Sequence, residues 1–229
     1  MGEKKRKEAT GKKWNKIIAI VVGVLFVVLM IVSSMGSSWI NSLAVTKQGD
    51  VVTLDYTLYD ASGSPIITTN QQVFEKAIAQ GSGMIYSKQL SITANQSYTD
   101  SVYPVQVFTI ANGWNNQFAF FPKEYEAVSA GIVGMKTNDR KTISLPVEAS
   151  MTQLWTPDQL SRNNVNLSKI RVGDMLAMGV SNSPEEMDSN TTSPNFRVAE
   201  ITGKSEAGAT VDFGCPKIDI TVAAINART

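Results

Sequence analysis

The sequence predicts an α+β chain in which an N-terminal transmembrane helix precedes a β-rich domain containing a short helix. Three observations carry this expectation. Residues 17–32 run IIAIVVGVLFVVLMIV without one polar side chain. From Val51 to Thr57 the chain alternates, Val52, Leu54 and Tyr56 on one face and Thr53, Asp55 and Thr57 on the other, as a half-buried strand does. Further on, an apolar helical turn ends in Gly134-Met135-Lys136, and Lys141, Ile143 and Leu145 alternate up to Pro146, which stops a strand.

In chain order, residues 1–16 form a basic tail, too short and charged to fold alone. Residues 17–40 form the membrane helix, since about 20 apolar residues cross a ~30 Å hydrocarbon layer at roughly 1.5 Å per residue. A buried core helix rarely runs that far without a polar face. A cleaved secretory signal is the rival reading, because Ser33 to Ser38 is a run of small residues. The apolar run exceeds the usual ~7–15 residues of such a signal, and no A-x-A site follows, so an uncleaved anchor is favoured. Seven cations precede Ile17 against Glu3 and Glu8, which holds the N-terminus in the cytoplasm and the domain outside.

Asn41 to Gln48 is a short linker. A strand runs from Asp50 to Tyr59, a turn lies at Asp60-Ala61-Ser62-Gly63, and Ile66 to Asn70 continues the sheet. Val73 to Gln80 has helical spacing and stops at Gly81 and Gly83. Tyr103 to Ile110 alternates like a strand. Trp114, Phe118, Phe120 and Phe121 form an aromatic segment, read either as a loop packed on the core or as a partner-binding rim. Thr156 and Pro157 suit the cap and first position of a short helix reaching Leu160. Strands are expected near 172–180, 195–202 and 208–213, with a polar loop from Ser181 to Pro194.

Composition excludes several functions. Removing the tail's seven cations and two acids from the chain's 21 Lys/Arg and 20 Asp/Glu leaves 14 against 18, a net of −4 and no basic patch for nucleic acid. Cys215 is the single cysteine, so no intrachain disulfide forms, and no histidine is present for Ser-His-Asp catalysis or for most zinc sites. No metal or other cofactor is implied. Sequons stand at Asn95, Asn166 and Asn190, acceptors for glycan if the host glycosylates exported proteins.

Taken in order, Gly49-Asp50-Val51 through Thr57, the Gly134-Met135-Lys136 bend and Arg140 to Pro146 resemble the FKBP-type peptidyl-prolyl isomerases. Ile170 to Leu176, Phe196 to Ile201, Ala209 to Phe213 and the terminal Ile218 to Ile225 narrow the resemblance to the SlyD-like subgroup. It spans most of residues 45–227, with no counterpart for Gln71 to Phe121. It implies an antiparallel sheet wrapped on a short helix, built from residues 45–149 and 214–229 with an unusual insertion at 71–121. A small β-rich flap domain at 150–213 would be inserted into it.

The same resemblance implies an apolar proline pocket. Tyr56 matches the family's pocket tyrosine, Ile66 replaces a phenylalanine, and Ile67 stands where an aspartate is usual. Tyr125 takes the position whose backbone N–H binds the substrate carbonyl, Val128 the floor position, and Ile220 the place of a phenylalanine on the last strand. The histidine that ends the family's flap is missing from Asp212 to Ile218. The implied function is a membrane-anchored isomerase and chaperone for proline-containing unfolded or exported polypeptides. It would stabilise the twisted imide in an apolar site against a barrier of about 20 kcal/mol. The alternative is an inactive binding module on the same fold, a holdase or an accessory subunit of a surface complex. A third reading is a β-rich surface subunit unrelated to isomerases.

Overall fold

A computed structural model describes residues 20–31, 33, 44–109, 113–180 and 195–226. The chain divides into two units, Met1–Leu43 and Ala44–Thr229. In the first, residues 20–31 are helical with every side chain exposed.

In the second unit twelve strands of the described residues join one sheet. They are β1 (Val51–Tyr59), β2 (Pro65–Thr68), β3 (Ile85–Ser87), β4 (Leu90–Thr93), β5 (Tyr103–Thr109), β6 (Gly113–Phe120), β7 (Arg140–Ser144), β8 (Thr152–Trp155), β9 (Met175–Gly179), β10 (Asn195–Ser205), β11 (Gly208–Asp212) and β12 (Lys217–Ile225). The order is β7-β12-β1-β2-β3-β5-β6-β10-β11-β8, with β4 on β1 and β9 on β10. Pairing is antiparallel except for β2 with β3 and β6 with β10. Helices α1 (Gln71–Ala79), α2 (Pro122–Gly131) and α3 (Pro157–Arg162) lie between strands.

Local chemistry explains several of these elements. β1 buries Val52, Leu54, Tyr56 and Leu58 on one face, as its alternation requires. The Asn70 side chain accepts the Val73 N–H at the start of α1. Thr156 and Gln159 cap α3 reciprocally, with Pro157 at its first position. Gly134 and Asn138 take the left-handed backbone at the two bends between α2 and β7.

Two expectations are corrected. The α+β domain, an antiparallel sheet wrapped on a short helix with an inserted flap, is instead mostly β, with 42% of residues in strands and the sheet curled into a half-barrel. The cause lies in residues 71–121, which supply β3, β5 and β6 and carry hydrogen bonding from β2 across to β10. Asn195 and Phe196 pair with Gln117 and Phe118, so the strands at 152–212 continue the same sheet. The N-terminal transmembrane helix is corrected as well: no helix among the described residues is long and apolar enough to cross a membrane. Within that span the described helical stretch covers residues 20–31. The rest of the expected 17–40 span, apart from Ser33, lies outside the described residues, as does the polar loop at 181–194.

The buried side chains form two clusters. One lies along β1, β2, β4, β5, β6, β12 and α2; the other, around Leu160, Ile201 and Val211, belongs to residues 151–213.

Candidate functional site

The six residues expected to line a proline pocket are all core residues. Tyr56, Ile66, Ile67, Tyr125, Val128 and Ile220 all belong to the larger core cluster, and none exposes more than 8% of its surface. Other rings pack on the two tyrosines. Tyr56 meets Phe120 edge-on at 5.8 Å between centroids, and Phe120 meets Tyr125 at 6.3 Å. Tyr125 stacks on Tyr103 at 4.6 Å and touches Tyr98 at 4.7 Å. The hydroxyls are spent as well. Tyr56 shares a 2.6 Å hydrogen bond with Ser87, and Tyr125 donates to the Ser91 carbonyl at 2.8 Å. Burial drives both phenol pKa values well above the ordinary range, so each acts as a neutral hydrogen-bonding group.

The expected aromatic rim separates into three parts. Trp114, at 37% exposure, joins Phe74, Tyr86 and Phe108 in a surface cluster, with the Lys88 ammonium 5.5 Å above its ring. Phe118 and Phe120 are fully buried. Phe121 lines a cavity.

That cavity is an apolar groove of about 480 Å³, within the span of roughly 300–1,000 Å³ typical of ligand sites. Its walls are Phe121 and Pro122 at the start of α2, Met151 and Trp155 on either end of β8, Met178 on β9, and Phe213 after β11. Trp155 and Phe213 lie 6.2 Å apart in a tilted pair. Met side chains adapt to varied apolar shapes, and a tryptophan offers a large face with a polar edge. Lys123 and Glu148 also line the groove and pair with each other at the exposed surface. Among the described strands β8 pairs with β11 alone and β9 with β10 alone.

Behind the groove lies a group that the sequence does not reveal. Arg197 is fully buried on β10 and makes a bidentate pair with Glu124 of α2, also fully buried. Its remaining N–H groups donate to the carbonyls of Phe213 at 3.1 and 3.0 Å and Ala119 at 2.9 Å. The guanidinium lies 4.6 Å from the Phe121 centroid and 5.0 Å from that of Phe118. Glu124 also accepts the Phe121 N–H at 3.0 Å. Phe121 and Phe213, two walls of the groove, are thus fixed by one buried ion pair.

The single cysteine is not an activated nucleophile. Burial pushes the Cys215 thiol up to about 12, so it stays protonated at neutral pH. Among the described residues no group of acidic or cysteine side chains has metal-binding geometry. A second cavity of about 410 Å³ lies at β1, β7 and β12, where Asp55, Arg140 and Asp219 and two of the expected pocket residues, Tyr56 and Ile220, are among its lining residues.

No protein-family model matches the chain, and no curated protein matches it either.

Proposed function

We propose that this chain is a polypeptide-binding module working outside the cell membrane, a holdase that takes apolar segments of unfolded or exported proteins into the groove between α2 and β8–β9. The observation that carries the reading is the groove itself: a 480 Å³ apolar recess whose Phe121 and Phe213 walls are pre-set by the buried Arg197–Glu124 pair. A preformed wall loses little entropy on binding, and the adaptable Met151 and Met178 side chains beside it suit varied apolar segments. Membrane attachment belongs to the same proposal. The helix at 20–31 leaves eleven large apolar side chains between 49% and 65% exposed, and lipid is the partner whose chemistry covers such a surface.

Prolyl isomerisation, the other function expected from the sequence, needs an apolar pocket open to a proline ring. On the core side of Tyr56 the ring of Phe120 takes up space that such a pocket needs, and the cavity that Tyr56 does line is walled mostly by polar residues, so binding without catalysis is the reading we favour.

Full-length protein in detergent micelles decides between them. Added at stoichiometric amounts to a chemically denatured client, it is expected to suppress light scattering. At one-hundredth of that amount it should leave a proline-limited refolding rate unchanged. Acceleration at the low dose would replace binding with catalysis, and failure to suppress scattering at any dose would remove the holdase reading. Trp155→Ala, which opens one wall of the groove, should weaken the suppression.

A further inference from the structure

We infer that Asn166 is a glycan attachment site, receiving a saccharide from a lipid-phosphate donor at the outer face of the membrane. The inference rests on the extracytoplasmic placement proposed above and is independent of what the groove binds.

Three sequons occur in the chain, and their surroundings differ. Asn190 lies outside the described residues. Asn95 is exposed but held down. Its backbone has a left-handed φ of 52°, its N–H donates to the Ser129 carbonyl at 2.9 Å, and the next N–H, of Gln96, donates to the Ser129 hydroxyl at 3.0 Å. Ser129 is fully buried in α2, so the sequon backbone cannot leave the surface without breaking bonds to the core.

Asn166 sits in the loop after α3. Val165 and Leu167, half-buried, pack against the smaller core cluster, while Asn166 and Ser168 are exposed between and beyond them. The backbone N–H of Ser168 donates to Asn166 Oδ1 at 2.9 Å, and the Ser168 hydroxyl donates to the same atom at 2.7 Å. A backbone N–H can only donate, which fixes the amide orientation: the oxygen faces Ser168 and Nδ2 faces away. Two donors on Oδ1 draw the carboxamide electrons toward oxygen and acidify Nδ2–H. The acceptor triplet therefore holds its own hydroxyl against the reacting amide, the relationship that an Asn-X-Ser acceptor requires.

The transfer balances. Nδ2 of Asn166 forms a bond to the anomeric carbon of the donor sugar and loses one proton to the transferring enzyme's base. The bond from that carbon to the lipid-phosphate oxygen breaks, and the lipid phosphate leaves with the electron pair. No oxidant or reductant takes part.

The test is peptide mapping by mass spectrometry of the full chain purified from its own membranes. Trypsin should release residues 163–169, in which Asn166 is the sole sequon asparagine. That peptide is expected to carry hexose-type mass increments, and the peptide bearing Asn95 to carry none. Asn166→Gln and Ser168→Ala should abolish the increment with far-UV dichroism unchanged, whereas Ser168→Thr, which keeps the hydroxyl, should retain it. A bare 163–169 peptide overturns the inference, and so does a Ser168→Ala protein that keeps its glycan. Protease added to intact cells separates the causes: digestion of the domain with a bare peptide refutes the glycan site alone, while protection refutes the placement as well.

Discussion

Arg197 and Glu124 meet with neither side chain exposed to solvent, although 73 residues separate them along the chain. All five guanidinium N–H groups have acceptors, two on Glu124, two on the Phe213 carbonyl and one on the Ala119 carbonyl. A buried pair of this kind adds little over a well-packed apolar replacement, but removing one member strands the other charge. Glu124→Gln or Arg197→Met should therefore destabilise the domain by about 3–5 kcal/mol in urea unfolding. The double variant should recover only part of this, because the Phe213 and Ala119 carbonyls still lose their donors. A double variant as stable as wild type would mean that the backbone contacts contribute nothing.

Tyr56 gives a second prediction, since its ring is core and its hydroxyl is bonded to Ser87. Tyr56→Phe leaves Ser87 its bond to the Lys88 carbonyl and should cost about 1 kcal/mol. Tyr56→Ala should cost about 3–5 kcal/mol through the cavity it leaves. Neither change should alter client binding per folded molecule, measured by fluorescence titration. A folded Ala variant that loses binding would move the site from the groove to Tyr56.

The sequence showed some of this structure and concealed the rest for definite reasons. β1 and α3 were legible because alternation and a Thr-Pro cap are local signals. β6 was not: Asn115-Asn116-Gln117 carries no β-branched residue, and the segment is a strand only because β5 and β10 pair with it. Once β6 is a strand the sheet is continuous, so the error there propagated to the whole fold class. Of the groove, the sequence marks only Phe121, as part of an aromatic rim; Tyr56 and Tyr125, expected in a proline pocket, do not line it. Arg197 had no visible mark, because its charge is compensated by Glu124 and by two carbonyls far away in sequence. Met151, Met178 and Phe213 looked like ordinary core, and only the curl of the sheet brings them to one recess.

Stability should respond to acid through Glu200. This carboxylate lies directly across from Asp212, and burial, with the charges of Asp60 and Asp212, holds its pKa above the usual carboxylate value. A raised folded pKa means that the folded state binds the proton more tightly than the unfolded state does. The penalty is therefore fully present above the folded pKa and disappears as pH falls to the unfolded value. Glu200→Gln should stabilise the domain at pH 7 by a few tenths of a kcal/mol, the scale of a like-charge cross-strand pair. The difference from wild type should vanish near pH 4. Equal effects at both pH values would mean that the gain comes from something other than ionisation. The opposite behaviour is expected of Asp219, which partial burial would raise but which hydrogen bonds from Thr142 and Tyr59 hold below its ordinary value. Its contribution is present at neutral pH and lost in acid, so the comparison must be made against the Gln variant under identical conditions.

Gly208 offers the sharpest test of the groove. It opens β11 at φ 143°, and a Cβ built there would lie 2.0 Å from the Trp155 carbonyl oxygen and 2.9 Å from its carbon. Both are backbone atoms, so no side-chain rotation relieves the clash; β8 must move off β11 or the strand must twist. Ala209 pairs with Trp155 at this point of the ladder, so the displacement falls on the residue that walls the groove. Gly208→Ala should cost on the order of 1–3 kcal/mol from backbone strain. It should also reduce client binding, while the larger core cluster, whose strands β1 and β12 are remote from β8 in the sheet order, keeps its near-UV dichroism. Gly203→Ala is the milder control: its Cβ would meet Thr210 Oγ1 at 3.1 Å, which can turn away, and Thr210 Cβ at 3.3 Å, which needs a shift of only a few tenths of an ångström. If Gly208→Ala binds client as wild type does, Trp155 is not part of the binding wall, and the groove between α2 and β8 is not where polypeptides are held.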